Sequence, residues 1–220
     1  MTSPQIVVAV DQSLAWCPAS LDQNMLDAYK YTLMFAQAAA RTVNSDPSTE
    51  AYYEAMTQQL MKLGWNVTES GKLNYDQQAS RISPAQIVGG ILNPYLSPDQ
   101  QSQLGGLLGQ IQQPDDSIKG FVDFWWRSAH TNASQASMAL GPLVANQNAP
   151  EVSMIFYSFK YDATDVGSLF VQIDKAALDV FAYSLKMNYN FALWPNVKAE
   201  ILPRIQAKVD AHIDSQPLDL

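Results

Sequence analysis

Two histidines, His130 and His212, and one cysteine, Cys17, are the whole stock of imidazole and thiol groups in this chain. Histidine is the side chain whose ordinary titration falls closest to neutrality, so this inventory narrows general acid–base chemistry sharply. His130 closes a helical pattern, where an imidazole meets the unsatisfied carbonyls of a helix C-terminus. His212 lies between Asp210 and Asp214 in the last helical pattern and is expected to face solvent. Cys17 sits in Ala15-Trp16-Cys17-Pro18, with no neighbouring cation in sequence to lower a thiol pKa, so a buried, inert cysteine is expected. Serine chemistry lacks its usual spacings, G-x-S-x-G and S-x-x-K. No catalytic residue is assigned.

Metal and cofactor chemistry fare no better. H-x-x-x-H, C-x-x-C and the EF-hand loop are absent. Asp162, Asp165 and Asp174 could gather oxygen ligands around a turn, but acids at strand ends are common there without a metal. Gly89-Gly90 and Gly105-Gly106 are followed by apolar residues rather than a Lys-Ser/Thr pair, so no phosphate loop is expected. No metal or cofactor is expected. Asp115-Asp116 is a carboxylate pair, and Trp125-Trp126 could stack on a sugar. That is the alternative reading, a carboxylate enzyme acting on carbohydrate. Trp125 falls on an apolar helical face, which leaves Trp126 as the ring expected to be exposed.

A binding role has more to draw on. Ile87–Leu92 and Leu104–Gly109 are apolar, uncharged and glycine-rich, and Gly105 and Gly109 form a G-x-x-x-G. Small residues at that spacing permit close helix approach, within a folded domain or during membrane entry. Phe181, Tyr183, Leu185, Met187, Tyr189 and Phe191 alternate with smaller or polar residues, as the two faces of a strand do. That stripe is expected to be core, packed on the last helix through Ile201, Ile205 and Val209. If exposed, it is a binding platform through Tyr183 and Tyr189.

The elements that must hold these residues can be read from periodicity. Gln5–Val10 reads as a buried strand and Leu14–Ser20 as irregular. Apolar steps of three and four from Leu21 to Val43 predict a helix capped by Ser20 or Asp22. Asp46-Pro47 suits the start of a second helix, ended by Gly64, and the short link predicts a helical hairpin. Trp65–Tyr75 reads as a β-hairpin turning at Glu69-Ser70-Gly71. Ser83-Pro84-Ala85-Gln86 and Ser97-Pro98-Asp99-Gln100 read as capping boxes, and a third helix runs from Ser117 toward His130. Ser137–Pro150 reads as loop. Period-two runs over residues 154–161, 169–174 and 180–191 predict a three-stranded antiparallel meander, followed by a helix that contains Pro203. Helices inserted among separated strands make the chain α+β. No composition shift divides it, so residues 1–220 are read as one domain.

Composition excludes further classes. At 220 residues a core can bury roughly 70–75% of the unfolded surface without a staple. The net charge is −8, and the 13 basic residues are scattered, which speaks against a phosphate track and nucleic-acid binding. No run approaches the ~20 apolar residues of a transmembrane helix. No basic n-region precedes Ile6–Val10, so synthesis in a cytosol, or export without a Sec-type signal, is expected. These features favour a non-enzymatic binding protein, acting on a partner or membrane surface in the manner of an effector or toxin. An intracellular assembly subunit is a further alternative.

Overall fold

The computed structural model describes residues 5–75, 80–132, 134–146, 148–161 and 169–218. Strand β1 (Gln5–Val10) turns at Asp11-Gln12 into β2 (Ser13–Pro18). Helix α1 (Gln23–Val43) starts where the Asp22 carboxylate accepts from the amides of Asn24 and Met25. It packs on α2 (Glu50–Lys62), which ends before Gly64 at φ +101°, a left-handed position that suits glycine. Next come β3 (Trp65–Leu73) and β4 (Arg81–Ile82). Helices α3 (Pro84–Leu92) and α4 (Pro98–Gln112) each open on a complete capping box, Ser83 with Gln86 and Ser97 with Gln100. Helix α5 (Lys119–Ala129) leads into β5 (His130–Asn132), β6 (Gln135–Asn146) and β7 (Ala149–Tyr161). The chain closes with β8 (Ile173–Asp174), β9 (Leu178–Tyr189), α6 (Trp194–Ile205), α7 (Val209–His212) and β10 (Ile213–Leu218).

Among the described residues one sheet runs β10-β1-β2-β6-β7-β9-β3, with β5 beside β6. It is antiparallel except for the β2–β6 pair, and the α+β class is borne out. Successive side chains of a strand point to opposite faces, and here both faces are apolar and buried. Val7, Ala9, Tyr157 and Phe159 pack with α3, α4 and α5. Val8, Val10, Phe156, Tyr183 and Leu185 pack with α1, α2 and α6. The sheet is the filling between two helical layers.

Several expectations are corrected. Residues 14–18 are not irregular: β2 is a central strand, and Pro18 stands at its last position, opposite Gln5, with a turn only at residues 19–20. Residues 137–146 are not loop. They form most of β6, whose continuous apolar run hid its period because both faces are covered. The meander is therefore β6, β7 and β9. Of residues 169–174 only Ile173 and Asp174 pair, with β4, because alternation does not name a partner. Residues 65–75 are not a hairpin either. β3 is one strand at the sheet edge, bulged between Val67 and Glu69, where a glycine is tolerated. Thr49, not Asp46, caps α2, while Asp46 accepts from the Ser48 amide in a local turn. The helical pattern around Pro203, a residue that can split a helix, is divided into α6, which ends two residues beyond it, and α7, and residues 213–218 return as an edge strand on β1 rather than continuing the helix.

Candidate functional site

His212 is not simply solvent-facing. Its Nδ1 meets Asp11 Oδ1, and its backbone carbonyl accepts from the Asp11 amide at 2.7 Å. Asp11 occupies the tight β1–β2 turn at φ +50°, a left-handed conformation that aspartate tolerates better than most residues. Its carboxylate is 8% exposed and is also held by Arg41 of α1 at 3.2 Å. Arg41 donates in addition to the Gln12 side-chain oxygen at 2.9 Å. The Gln12 carbonyl accepts from the Ala139 amide and from Trp125 Nε1. This knot joins the β1–β2 turn to α1, α5, β6 and the α7–β10 corner. It is built from residues 11, 12, 41, 125 and 212, so no local motif could have announced it. Its geometry is that of a clamp: the carboxylate is occupied on both sides.

The other acid–base candidates are dispersed. Cys17 is 1% exposed, and burial pushes its thiol up to about 12, which disfavours the thiolate at neutral pH. The backbone of His130 begins β5 rather than ending α5. Asp162 and Asp165 lie outside the described residues, and Asp174 forms an exposed pair with Arg81 at 3.3 Å. Among the described residues, no three of His, Cys, Asp and Glu gather where they could hold a metal ion. Asp115 accepts from the Ser117 hydroxyl and amide, which hold its carboxyl below the usual range, while Asp116 is exposed beside it. That is a turn before a helix, not two carboxylates facing across a cleft.

The expected binding residues also separate. Trp126 is half-buried and lines a groove of about 190 Å³ with Ile111, Pro114, Val122, Asp123, Leu169 and Phe170. Tyr183 and Tyr189 belong to the inner face of β9, 4% and 2% exposed. Tyr183 stacks on Tyr53 at 5.2 Å. The Tyr189 hydroxyl is buried without a hydrogen-bond partner among the described residues, and burial raises it to about 12. Tyr183, Leu185, Met187 and Tyr189 are thus core, in one cluster with Ile201 and Ile205, whereas Phe181, Phe191 and Val209 are partly buried against it and Phe191 lies beyond the end of β9. On its reverse face Lys186 is exposed, but Ser184 is buried and donates to the Gly71 carbonyl at 3.3 Å.

Gly105 and Gly109 lie on the exposed face of α4, and a Cβ at either would meet nothing within 4 Å. Close helix packing is therefore not their role in this fold. Gly105→Ala is expected to raise stability by about 0.5–1 kcal/mol, because alanine loses less backbone freedom in a helix. Denaturant unfolding measures this, and a clear loss of stability would show a contact at that position. A smaller cavity of about 80 Å³ lies between the α3 end and the sheet, lined by Leu92, Tyr95, Ser153, Leu185 and Lys186 among others. No helix among the described residues is long and apolar enough to cross a membrane.

Neither a protein-family model nor a curated protein matches the chain. Solved structures do. The chain is similar to the activated Cyt2Ba monomer from Bacillus thuringiensis subsp. israelensis, at 13% identity and a TM-score of 0.46, over 77% of this chain and 94% of that one. It is similar to a delta-endotoxin at 11% identity and a TM-score of 0.41, over 76% and 75%. The Evf virulence factor aligns over 89% of this chain and 76% of its own, at 10% identity and a TM-score of 0.35. Likeness this distant leaves the function to be read from the chain's own side chains.

Proposed function

We propose that the protein is a non-enzymatic, toxin-like binding protein, that residues 1–220 act as one domain, and that its target is a membrane surface. One observation carries this reading: the central strand β7 is apolar on both faces, with Ile155, Tyr157 and Phe159 in the cluster under α3, α4 and α5 and Val152, Met154 and Phe156 in the cluster under α1, α2 and α6. The helices present polar, charge-poor outer faces to water, with charged residues only 15% of the chain. A water-compatible shell around a two-faced apolar sheet holds apolar surface in reserve, available to lipid if the shell rearranges. Pairing of β1 with β10, from opposite ends of the chain, supports the single-domain reading. Dye release from phospholipid vesicles at neutral and acidic pH tests the proposal. Release that grows with protein concentration is expected. Neither binding nor release at any pH would remove the membrane from the reading.

A further inference from the structure

We infer that the chain docks on a phospholipid bilayer carrying anionic lipid through one tip, the corner where α2 meets β3 and β9 meets α6. This rests on the membrane reading above and names the surface it uses. Two of the most exposed large apolar residues flank that corner: Met61 at 56% exposure and Leu193 at 40%. The corner is tightly tied. The Gly64 amide donates to the Met61 carbonyl at 3.1 Å, and the Gly64 carbonyl accepts from the Asn190 amide at 2.9 Å. Leu193 lies against Gly64 so closely that a Cβ there would come within 3.0 Å of its Cδ1. Apolar residues on turns held this rigidly can enter a headgroup layer without an ordering cost in the backbone.

One lysine adds a positive charge at the same corner. The chain carries −8 overall, yet residues 55–68 and 180–199 contain no aspartate or glutamate and contribute Lys62, Lys186 and Lys198. Lys186 and Lys198 reach Glu151 and Asp27 at 3.9 and 3.8 Å, whereas Lys62 is exposed and makes no ion pair with the described residues. An exposed lysine beside an apolar anchor favours attachment to an anionic surface. Behind the tip lies a block of amphipathic rings. Tyr189 contacts Trp65 at 5.0 Å and Trp194 at 6.4 Å. The Tyr189 hydroxyl and Trp194 Nε1 are both buried without a hydrogen-bond partner among the described residues. These rings are 2–3% exposed and back the tip as rigid core.

The test is co-sedimentation of the full chain with vesicles of phosphatidylcholine, alone or mixed with phosphatidylserine. The parent should bind, and more strongly to the mixed vesicles. The double variant Met61→Glu, Leu193→Glu should lose binding by about tenfold or more, since attachment scales with the apolar area inserted. Because Leu193 also lies against Gly64, the single variant Met61→Glu is measured beside it; its melting temperature should match the parent's while its binding is weakened. Lys62→Glu should weaken binding to the mixed vesicles and leave the phosphatidylcholine result unchanged. Val43→Glu, at the 70%-exposed end of α1, should bind as the parent does. A double variant that binds like the parent overturns the tip and leaves the membrane reading standing. So does loss of binding in Val43→Glu alone. A parent that sediments with neither vesicle overturns the membrane reading itself.

Discussion

Gly141→Ala should lose more than about 4 kcal/mol of stability, a size confined to a few mechanisms, of which backbone collision is the one at work here. Gly141 lies in β6, opposite Ala15 of β2, and its open side is filled by β7. A Cβ would overlap the Ser153 carbonyl oxygen and approach Met154 Cα to 2.8 Å. Both are main chain, so no rotamer change can clear them. The β6–β7 ladder passes from the Leu140–Ile155 pair to the Leu143–Val152 pair across this pinch, and Pro142 adds a residue that cannot donate. Alanine would push apart the two strands at the centre of the sheet. The expected result is insoluble protein, or a folded fraction unfolding at far lower denaturant. Gly71→Ala is the control, since a Cβ there meets nothing within 4 Å. A Gly141→Ala protein that melts within a few degrees of the parent would show that β6 and β7 do not approach this closely.

Leu185→Ala should destabilise by about 2–5 kcal/mol, the range for truncating a buried leucine where the surroundings cannot collapse. Leu185 is 1% exposed at the middle of β9, opposite Met154 on β7 and Ser70 on β3. It shares its cluster with Tyr183, Met187 and Ile201. Neighbouring rings at Tyr53, Phe156 and Tyr183 are stacked or tilted on one another at 4.9–5.2 Å, so the surroundings are stiff. Thermal and denaturant unfolding should both register the loss, with an unchanged denaturant slope. An unchanged melting temperature combined with lost vesicle or partner binding would make the β9 stripe a recognition surface, and the core assignment would fall.

Local physics was legible in the sequence wherever a residue's own chemistry decides its conformation. The capping boxes at Ser83 and Ser97, the Asp22 cap, the stop at Gly64 and the β1 strand depend on contacts within a few residues. The long alternations of β7 and β9 were legible because a strand exposes its period directly. The burial of Cys17 followed from its apolar neighbours. Tertiary structure decided the rest. β2 and β6 carry no period because both their faces are covered, and only the sheet reveals that Gly141-Pro142 is a pinch between strands rather than a turn. Gly105 and Gly109 have the spacing of a packing motif, but α4 turns that face to water, and spacing cannot say which way a helix is rotated. The Asp11–Arg41–His212 clamp and the Met61–Leu193 tip each join residues more than a hundred positions apart. Such groups meet because two helical layers close over one sheet, a consequence of burying both its apolar faces at once.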